Sequence, residues 1–164
     1  MTVAFKVLVS TDDYISESDL EQNWDRYRDE LRSLNNPDGL LLITAPGQAE
    51  GCLLADPLNS LVSDLCFQAV SQLAANEEAV LEFSASDVEV RLTPEGEDVV
   101  LTGNTIPTTR VTRKTLLPEL VACGERYMAL LHKLHDDQPG WPEWLSQFDQ
   151  AAAKARAQLH AQPN

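Results

Sequence analysis

The chain has 164 residues, 43% of them hydrophobic, and its 12 Lys and Arg against 26 Asp and Glu give a net charge of −14. This length predicts a single domain, residues 1–164, whose core needs neither a disulfide nor a metal. The charge argues against binding to nucleic acid or to an anionic membrane, because both attract basic surfaces. No apolar run is long enough to span a bilayer, and we do not expect the first residues to form a signal peptide. Cys52, Cys66 and Cys123 are odd in number and widely spaced, which is typical of reduced thiols, so we expect a cytoplasmic protein.

Hydrophobic periodicity and turn residues predict the elements in chain order. They are a strand at 4–10, a helix at 18–34, strands at 40–45 and 51–55, a helix at 57–73, strands at 79–84, 87–93 and 99–102, a helix at 116–134 and a last helix that begins near 142. The order β-α-β-β-α-β-β-β-α-α predicts an α+β fold, with a mostly antiparallel sheet and helices packed on one face. From 151 to 164 the chain is rich in alanine, and we expect an exposed or frayed tail.

Three local patterns refine these elements. Ser18, followed three residues later by Glu21, predicts a capping box at the start of the first helix. The run at 40–45 is apolar without interruption, which predicts a strand buried on both faces. Residues 87–93 alternate charged and aliphatic side chains, so the charged set should face water. The loop Pro94-Glu95-Gly96 predicts a three-residue hairpin connection with Gly96 in the left-handed region.

The sequence lacks a catalytic signature. His132 and His135 lie three residues apart beside Asp136, but two histidines fall short of a tetrahedral metal site, and a polar helix end whose imidazoles favour the negative C-terminal dipole is the preferred interpretation. No nucleophile elbow and no phosphate-binding glycine loop occur. We therefore predict no enzymatic activity, no catalytic residue, no metal and no cofactor.

The negative charge is concentrated in two segments. From Asp12 to Glu30 eight acids accompany two arginines, net −6, and from Glu77 to Asp98 eight acids accompany one arginine, net −7. On the first helix Asp25 and Asp29 precede Arg28 and Arg32 by three residues, which predicts partial neutralisation along the helix. The hairpin of the second segment has no such compensation, and this suggests either a binding surface for a basic partner or a solubilising edge. The predicted partner-binding residues are Asp87, Glu89, Glu95, Glu97 and Asp98 of the hairpin, with Asp25 and Asp29 of the first helix.

Two tryptophans flank the start of the last helix. Trp141 and Trp144 follow a Pro-Gly turn. Such a pair either anchors a partner, as aromatic residues do at interfaces, or docks the terminal helix onto its own domain.

Two stretches carry a family resemblance. They are residues 56–73, which begin Asp56-Pro57-Leu58, and residues 78–127, which end Val121-Ala122-Cys123-Gly124-Glu125-Arg126-Tyr127. A small acidic chain with a helix, an acidic meander and a closing helix resembles the immunity proteins of bacterial polymorphic-toxin and contact-dependent inhibition systems. The resemblance covers about two-thirds of the chain and is one of layout and composition, so it assigns a role to no individual residue.

The resemblance implies a cytoplasmic protein that neutralises a basic toxin domain, often a nuclease, by occluding its active site. Complementary charge would speed the association of such a pair. One alternative is a secretion chaperone of the type III kind, a homodimer that holds an effector segment in apolar grooves. That function requires solvent-facing aliphatic residues on the strands, whereas 87–91 carry charges there. A small-molecule enzyme is the third class, and a homodimer stays open in every case.

Overall fold

The computed structural model describes residues 1–10, 13–34, 36–48, 51–83, 87–136 and 143–161. The strands are β1 (Thr2–Val9), β2 (Asp13–Ser16), β3 (Asp38–Thr44), β4 (Cys52–Pro57), β5 (Ala79–Glu82), β6 (Glu89–Glu95), β7 (Asp98–Gly103) and β8 (Thr109–Thr112). The helices are α1 (Glu17–Gln22), α2 (Trp24–Ser33), α3 (Leu58–Leu61), α4 (Ala69–Ala74), α5 (Arg113–His135) and α6 (Glu143–Ala161). A π-helical segment, Val62–Gln68, joins α3 to α4, and we call the whole stretch the composite helix.

The first sheet has the strand order β2-β1-β3-β4, and every pair in it is antiparallel. Alternate residues form a buried inner face, namely Val3, Phe5, Val7, Val9, Leu41, Ile43, Cys52 and Leu54. Helix α5 packs on this inner face, where the rings of Phe5 and Tyr127 meet edge to face with centroids 5.3 Å apart. Because side chains alternate along a strand, the intervening residues form an outer face on the opposite side.

The second sheet has the order β5-β6-β7-β8 and is also antiparallel throughout. Its inner face buries Ala79, Leu81, Val90, Leu92, Val99, Leu101 and Val111. Helices α4 and α5 contact its strands, so α5 reaches both sheets. The charged residues of β6 therefore point to an outer face, as the period of two predicts.

The helices pack closely because one glycine leaves room. A Cβ built on Gly124 of α5 would lie 2.6 Å from Cε1 of Phe67 in the π-helical segment, so a larger residue cannot fit there without movement. Phe67 also meets Phe148 of α6 edge to face, with centroids 6.2 Å apart. The composite helix is therefore held between α5 and α6.

The predicted α+β class and the approximate order of elements are confirmed. The strands are divided between two sheets, and β2 and β8 are strands that the sequence pattern does not predict. The strand at 40–45 is buried on its inner face only, since Leu40 and Leu42 are half-buried on the outer face. The hairpin turn is also shorter than predicted. It consists of Gly96 and Glu97, although Gly96 has the expected positive φ of 65°.

Two helix ends differ from the predictions. Ser16, not Ser18, caps α1: its hydroxyl accepts from the backbone N–H of Asp19 at 3.2 Å. A strand directly before the helix moves the cap two residues toward the N-terminus. The tail was predicted to be exposed or frayed. Residues 151–161 are not frayed, since they continue α6, and although several of them are exposed, Ala152 and Ala155 are buried against the core. Small residues such as alanine suit a helix that packs closely against its neighbours. Residues 162–164 of the predicted tail lie outside the described part of the chain.

Candidate partner-binding surface

The outer face of the second sheet carries five acids and two arginines. They are Glu78, Glu82, Glu89, Arg91, Glu95, Asp98 and Arg110, and we call this surface the acidic face. Period-two alternation in β6 and direct pairing across β5, β7 and β8 bring the seven side chains to one side. The net charge of the acidic face is −3, so it stays negative after its own bases are counted.

Arg91 holds one end of the acidic face together. Its Nε donates to Glu89 at 2.7 Å and its Nη1 donates to Glu78 at 3.0 Å. Thr93 adds a hydrogen bond from its hydroxyl to the second oxygen of Glu78 at 2.8 Å. The hydrogen bond to Glu89 is the main cause of the raised pKa of Arg91, and the contact with Glu78 adds to it. All of these side chains remain partly exposed, so each pair contributes little to stability.

Arg110 holds the other end of the acidic face together, at the hairpin tip. Glu95 and Asp98 lie directly opposite each other across the last rung of β6 and β7. Arg110 of β8 bridges them, donating from Nη2 to Glu95 and from Nη1 to Asp98 at 3.4 Å. The pKa of Arg110 is raised, chiefly by the hydrogen bond to Glu95. Like charges placed opposite each other are thus separated by a cation from the same sheet.

Arg113 fixes the hairpin tip from the other side. Its Nη2 donates to the carbonyl of Gly96 at 2.7 Å and to Asn76 at 2.9 Å, and its backbone N–H donates to the carbonyl of Glu97 at 2.8 Å. The turn is therefore tied to the first residue of α5 and to the end of α4. Within the described residues the carboxylate of Glu97 has no ion pair, and it lies exposed at the tip.

A second like-charge rung has no bridging cation. Glu82 at the end of β5 lies directly opposite Glu89 of β6. Arg91 contacts Glu89, but among the described residues no base contacts Glu82, which is exposed. Glu82 also lines a depression of about 210 Å³ with Asp64, Gln68 and Gln72 of the composite helix.

Asp87 lies beside this rung. It lines an open depression of about 560 Å³ together with Glu89, Arg91 and Asn104. The Asn104 amide donates to the carbonyl of Asp87 at 2.8 Å, and its oxygen accepts from the backbone N–H of Glu89 at 3.4 Å, so it fixes the chain before β6. Within the part of the chain that the structure describes, the Asp87 carboxylate has no ion pair.

The remaining predicted residues lie elsewhere. Asp25 and Asp29 are on α2, which packs against β1 and α5 rather than on the second sheet. Asp29 pairs with the adjacent Arg28 at 3.2 Å, whereas Asp25 is exposed and forms no ion pair with any described residue. The structure therefore does not place the acids of α2 with those of the hairpin.

The predicted contrast between the two segments was wrong. Glu89, Glu95 and Asp98 are the compensated acids, because β8 brings Arg110 to the hairpin and Arg91 shares the outer face. On α2 the pairs predicted at a spacing of three residues do not form as expected: Arg28 pairs with Asp29 rather than with Asp25. The Nε of Arg32 donates to the carbonyl of Leu134 at 3.0 Å. The acids available to a partner are therefore Glu82, Asp87 and Glu97 around the hairpin.

The outer face of the first sheet is different in kind. Its central side chains, which we call the apolar face, are Ala4, Leu8, Tyr14, Leu40, Leu42, Leu53 and Ala55, with Lys6 and Asp38 among them. Thr2, Ser16, Thr44 and Pro57 lie on the same side at the strand ends. Leu53 is 51% exposed and Tyr14 is 42% exposed. The sequence offered a signal for this surface, since the uninterrupted apolar run at 40–45 supplies aliphatic residues to both faces of β3.

A pocket between three helices is small for a ligand site. A pocket of about 170 Å³ lies between α1, α2 and α5, with Lys133 Nζ 4.1 Å from the ring centroid of Trp24 at its wall. This volume is below the roughly 300–1,000 Å³ typical of ligand sites. Arg126 at the pocket is held by Glu17 at 2.6 Å and donates to the carbonyl of Val3 at 2.7 Å, so it supports the edge of β1.

The other candidate groups have structural partners. His132 Nε2 lies 2.8 Å from an oxygen of Asp149, and no cluster of metal ligands occurs among the described residues. Trp144 packs edge to face on Phe148 and on His135, which indicates docking of α6, while Trp141 lies outside the described residues. All three cysteines are buried and free, and burial raises the pKa of Cys52 to about 11.

Comparisons with known proteins leave the site to be interpreted from its own geometry. No protein-family model, no curated protein and no solved structure matches this chain. In the described part of the fold, every helix is too short or too polar to serve as a transmembrane segment.

Proposed function

We propose that the protein binds a basic protein partner through the acidic face and neutralises it by occlusion, as a cytoplasmic immunity protein does. One observation carries this proposal: in the second like-charge rung Glu82 lies opposite Glu89, and although Arg91 pairs with Glu89, no base among the described residues contacts Glu82. Such a rung costs stability in the free protein, and a cation from a partner would remove that cost.

The hairpin tip supplies the precedent within the same sheet. There Arg110 contacts both members of the opposed pair Glu95 and Asp98. A lysine or arginine of a partner, placed between Glu82 and Glu89, would reproduce this arrangement. Asp87 and Glu97 would extend the negative potential to either side and speed the encounter, because complementary charge raises association rates more than it raises affinity.

The substitution Glu82→Lys tests partner binding without disturbing the fold. The new lysine would face Glu89, so the stability of the fold should stay equal or rise slightly, while binding of a basic partner should weaken. Reversing Glu89 or Glu95 is less informative, because each change would also break an existing ion pair with Arg91 or Arg110. Asp136→Lys, at the exposed end of α5, is the matched control because it changes the net charge equally.

The experiment first captures the partner on the immobilised chain at low salt, identifies it and produces it separately. Association with the wild type and both variants is then measured by surface plasmon resonance, and the activity of the partner is titrated with the wild-type chain. We expect a basic partner, loss of its activity at equimolar chain, and association about tenfold slower for Glu82→Lys than for Asp136→Lys. Equal rates for the two variants, or full activity of the partner at equimolar chain, would refute the proposal.

The apolar face favours a second candidate function. A chaperone of the type III kind needs solvent-facing aliphatic residues on its strands, and Leu53 with its neighbours on the first sheet meets that requirement. In this case an unfolded segment of a client protein would cover the face. The experiment in the next subsection distinguishes this occupant from a second copy of the chain.

A further inference from the structure

The apolar face has members on all four strands of the first sheet. In the antiparallel register Tyr14 lies opposite Leu8, Ala4 opposite Leu42, and Leu42 opposite Leu53. Leu40 and Ala55 also pair directly, so that apolar pairs join β1 to β4, while Lys6 and Asp38 lie between these pairs and the pair formed by Tyr14 and Leu8. Leu53 and Tyr14 are among the large hydrophobic side chains that the described structure leaves exposed.

The charge of this face sets it apart from the rest of the molecule. Although the chain carries −14, the apolar face holds one base, Lys6, and one acid, Asp38, and is therefore neutral. Lys6 lies opposite Leu40, two residues from Asp38 along β3, so the two charges are diagonal neighbours, with Asp38 at the end of its strand. Within the described residues neither forms an ion pair.

This arrangement is self-complementary. A two-fold axis sets the same patch of two subunits against each other, so a contact from residue i to residue j is repeated from j to i. Lys6 of one copy can then meet Asp38 of the other, twice, inside an apolar surround. A basic partner would gain only one ion pair from this face, and would be repelled by Lys6.

The size of the face predicts a weak, reversible contact. Four strands spaced about 4.8 Å apart, with on average about six residues of roughly 3.4 Å each, give a flat area of about 400 Å² per copy. Stable interfaces bury about 800 Å² per partner, and transient ones bury less. A dimer formed by this face should therefore dissociate in the micromolar range, about 1–100 μM.

We propose that a second copy of this chain covers the apolar face, forming a two-fold homodimer in which Lys6 of each subunit pairs with Asp38 of the other. The inference is independent of partner binding at the acidic face, because the dimer uses the outer face of the first sheet and the basic partner uses that of the second. A dimer would leave both acidic faces open.

Leu53 and Val80 offer a matched pair of variants. Both are exposed aliphatic residues on outer strand faces, Leu53 at 51% on the first sheet and Val80 at 40% on the second. Analytical ultracentrifugation from about 1 to 500 μM should show a concentration-dependent dimer for the wild type and for Val80→Asp, and at least tenfold weaker association for Leu53→Asp. Circular dichroism melts confirm that both variants fold.

Charge exchange tests the pairing itself. Lys6→Glu and Asp38→Lys should each weaken dimerisation severalfold, and the double variant, which restores opposite charges across the axis, should recover it. A wild type that stays monomeric at 500 μM, or equal effects of Leu53→Asp and Val80→Asp, overturns the dimer. Failure of the double variant to recover overturns the pairing of Lys6 with Asp38.

An unfolded client is the other occupant that this face could hold. Reduced and carboxymethylated α-lactalbumin serves as the probe. If it binds the wild-type chain at low concentration, and Leu53→Asp but not Val80→Asp abolishes that binding while the chain remains monomeric, a client rather than a second copy covers the face and the dimer is refuted.

Discussion

Arg110 illustrates what a single guanidinium can do that a lysine cannot. It donates from two different nitrogens to two carboxylates that lie opposite each other on β6 and β7. A planar fork with several fixed donors can bridge in this way, whereas an ammonium acts as a point charge. The same geometry is absent at Glu82 and Glu89, where Arg91 reaches only one member of the rung. The difference between the two rungs therefore depends on one side chain.

Part of this compensation could be predicted from the sequence and part could not. Glu89 and Arg91 are two residues apart in an alternating strand, so their shared face was predictable and their ion pair follows from it. Arg110 is 12 residues beyond Asp98, on a strand whose four residues follow a proline and show no clear alternation of hydrophobic and charged side chains. Without β8, no sequence pattern brings a base to the hairpin tip.

Asp64 is a half-buried carboxylate in the π-helical segment. Its removal from water, and to a smaller extent the charge of Asp56, raises the pKa of Asp64 above its ordinary value of 3.8. Between the ordinary and the raised value the folded state binds more protons than the unfolded state, so the free energy of unfolding falls as pH rises through this range. At neutral pH the ionised Asp64 therefore costs stability.

Asp64→Asn should remove this cost. We expect the variant to have a higher free energy of unfolding than the wild type at pH 7. This advantage should shrink as the pH falls from the raised pKa toward the ordinary value of 3.8, and it should vanish below that value, where the carboxyl is protonated in both states. Urea unfolding at several pH values measures the difference. Asp136→Asn, at an exposed position, should show no comparable gain, and a less stable Asp64→Asn at pH 7 would contradict the prediction.

Helix α6 is the element whose role the sequence pattern hid. Residues 151–161 contain few large apolar side chains, which suggests fraying, yet Ala152 and Ala155 are buried. Close contact between helices favours small residues, and an alanine-rich helix can be buried through them without a conspicuous hydrophobic stripe. The strongly periodic α5 was predictable almost in full, because its large apolar residues mark its inner face.

A matched pair of substitutions tests the docking of α6. Ala155→Asp places a charge at a site with no exposed surface and should lower the free energy of unfolding by about 3 kcal/mol. Ala153→Asp, exposed two residues earlier, carries the same change in charge and helix propensity and should cost less than about 1 kcal/mol. Equal costs in chemical denaturation would mean that α6 does not pack as described.

At the scale of the whole molecule, the two sheets turn outer faces of opposite character to the solvent. The first presents aliphatic residues with one base and one acid, and the second presents five acids with two bases. The hydrophobic pattern predicted the class of the fold. It did not predict the contrast between the two outer faces, because nothing in the sequence indicates that the strands form two sheets. The distribution of charge along the sequence predicts which segments are acidic, but it does not predict which bases form ion pairs with those acids.

The two faces should respond to salt in opposite directions, and this separates the two proposals. Binding of a basic partner relies on attraction between exposed charges, so it should weaken as salt rises from about 50 to 500 mM. Dimerisation brings together two chains of −14 each through a neutral apolar face, and screening of their mutual repulsion should outweigh the weakening of two ion pairs. We therefore expect the dimer to tighten over the same range.

Sedimentation equilibrium of the chain and its association with the partner, measured in the same buffers, test both salt dependences. A dimer that weakens with salt as steeply as the partner complex would mean that charge, not the aliphatic surface, holds the two copies together.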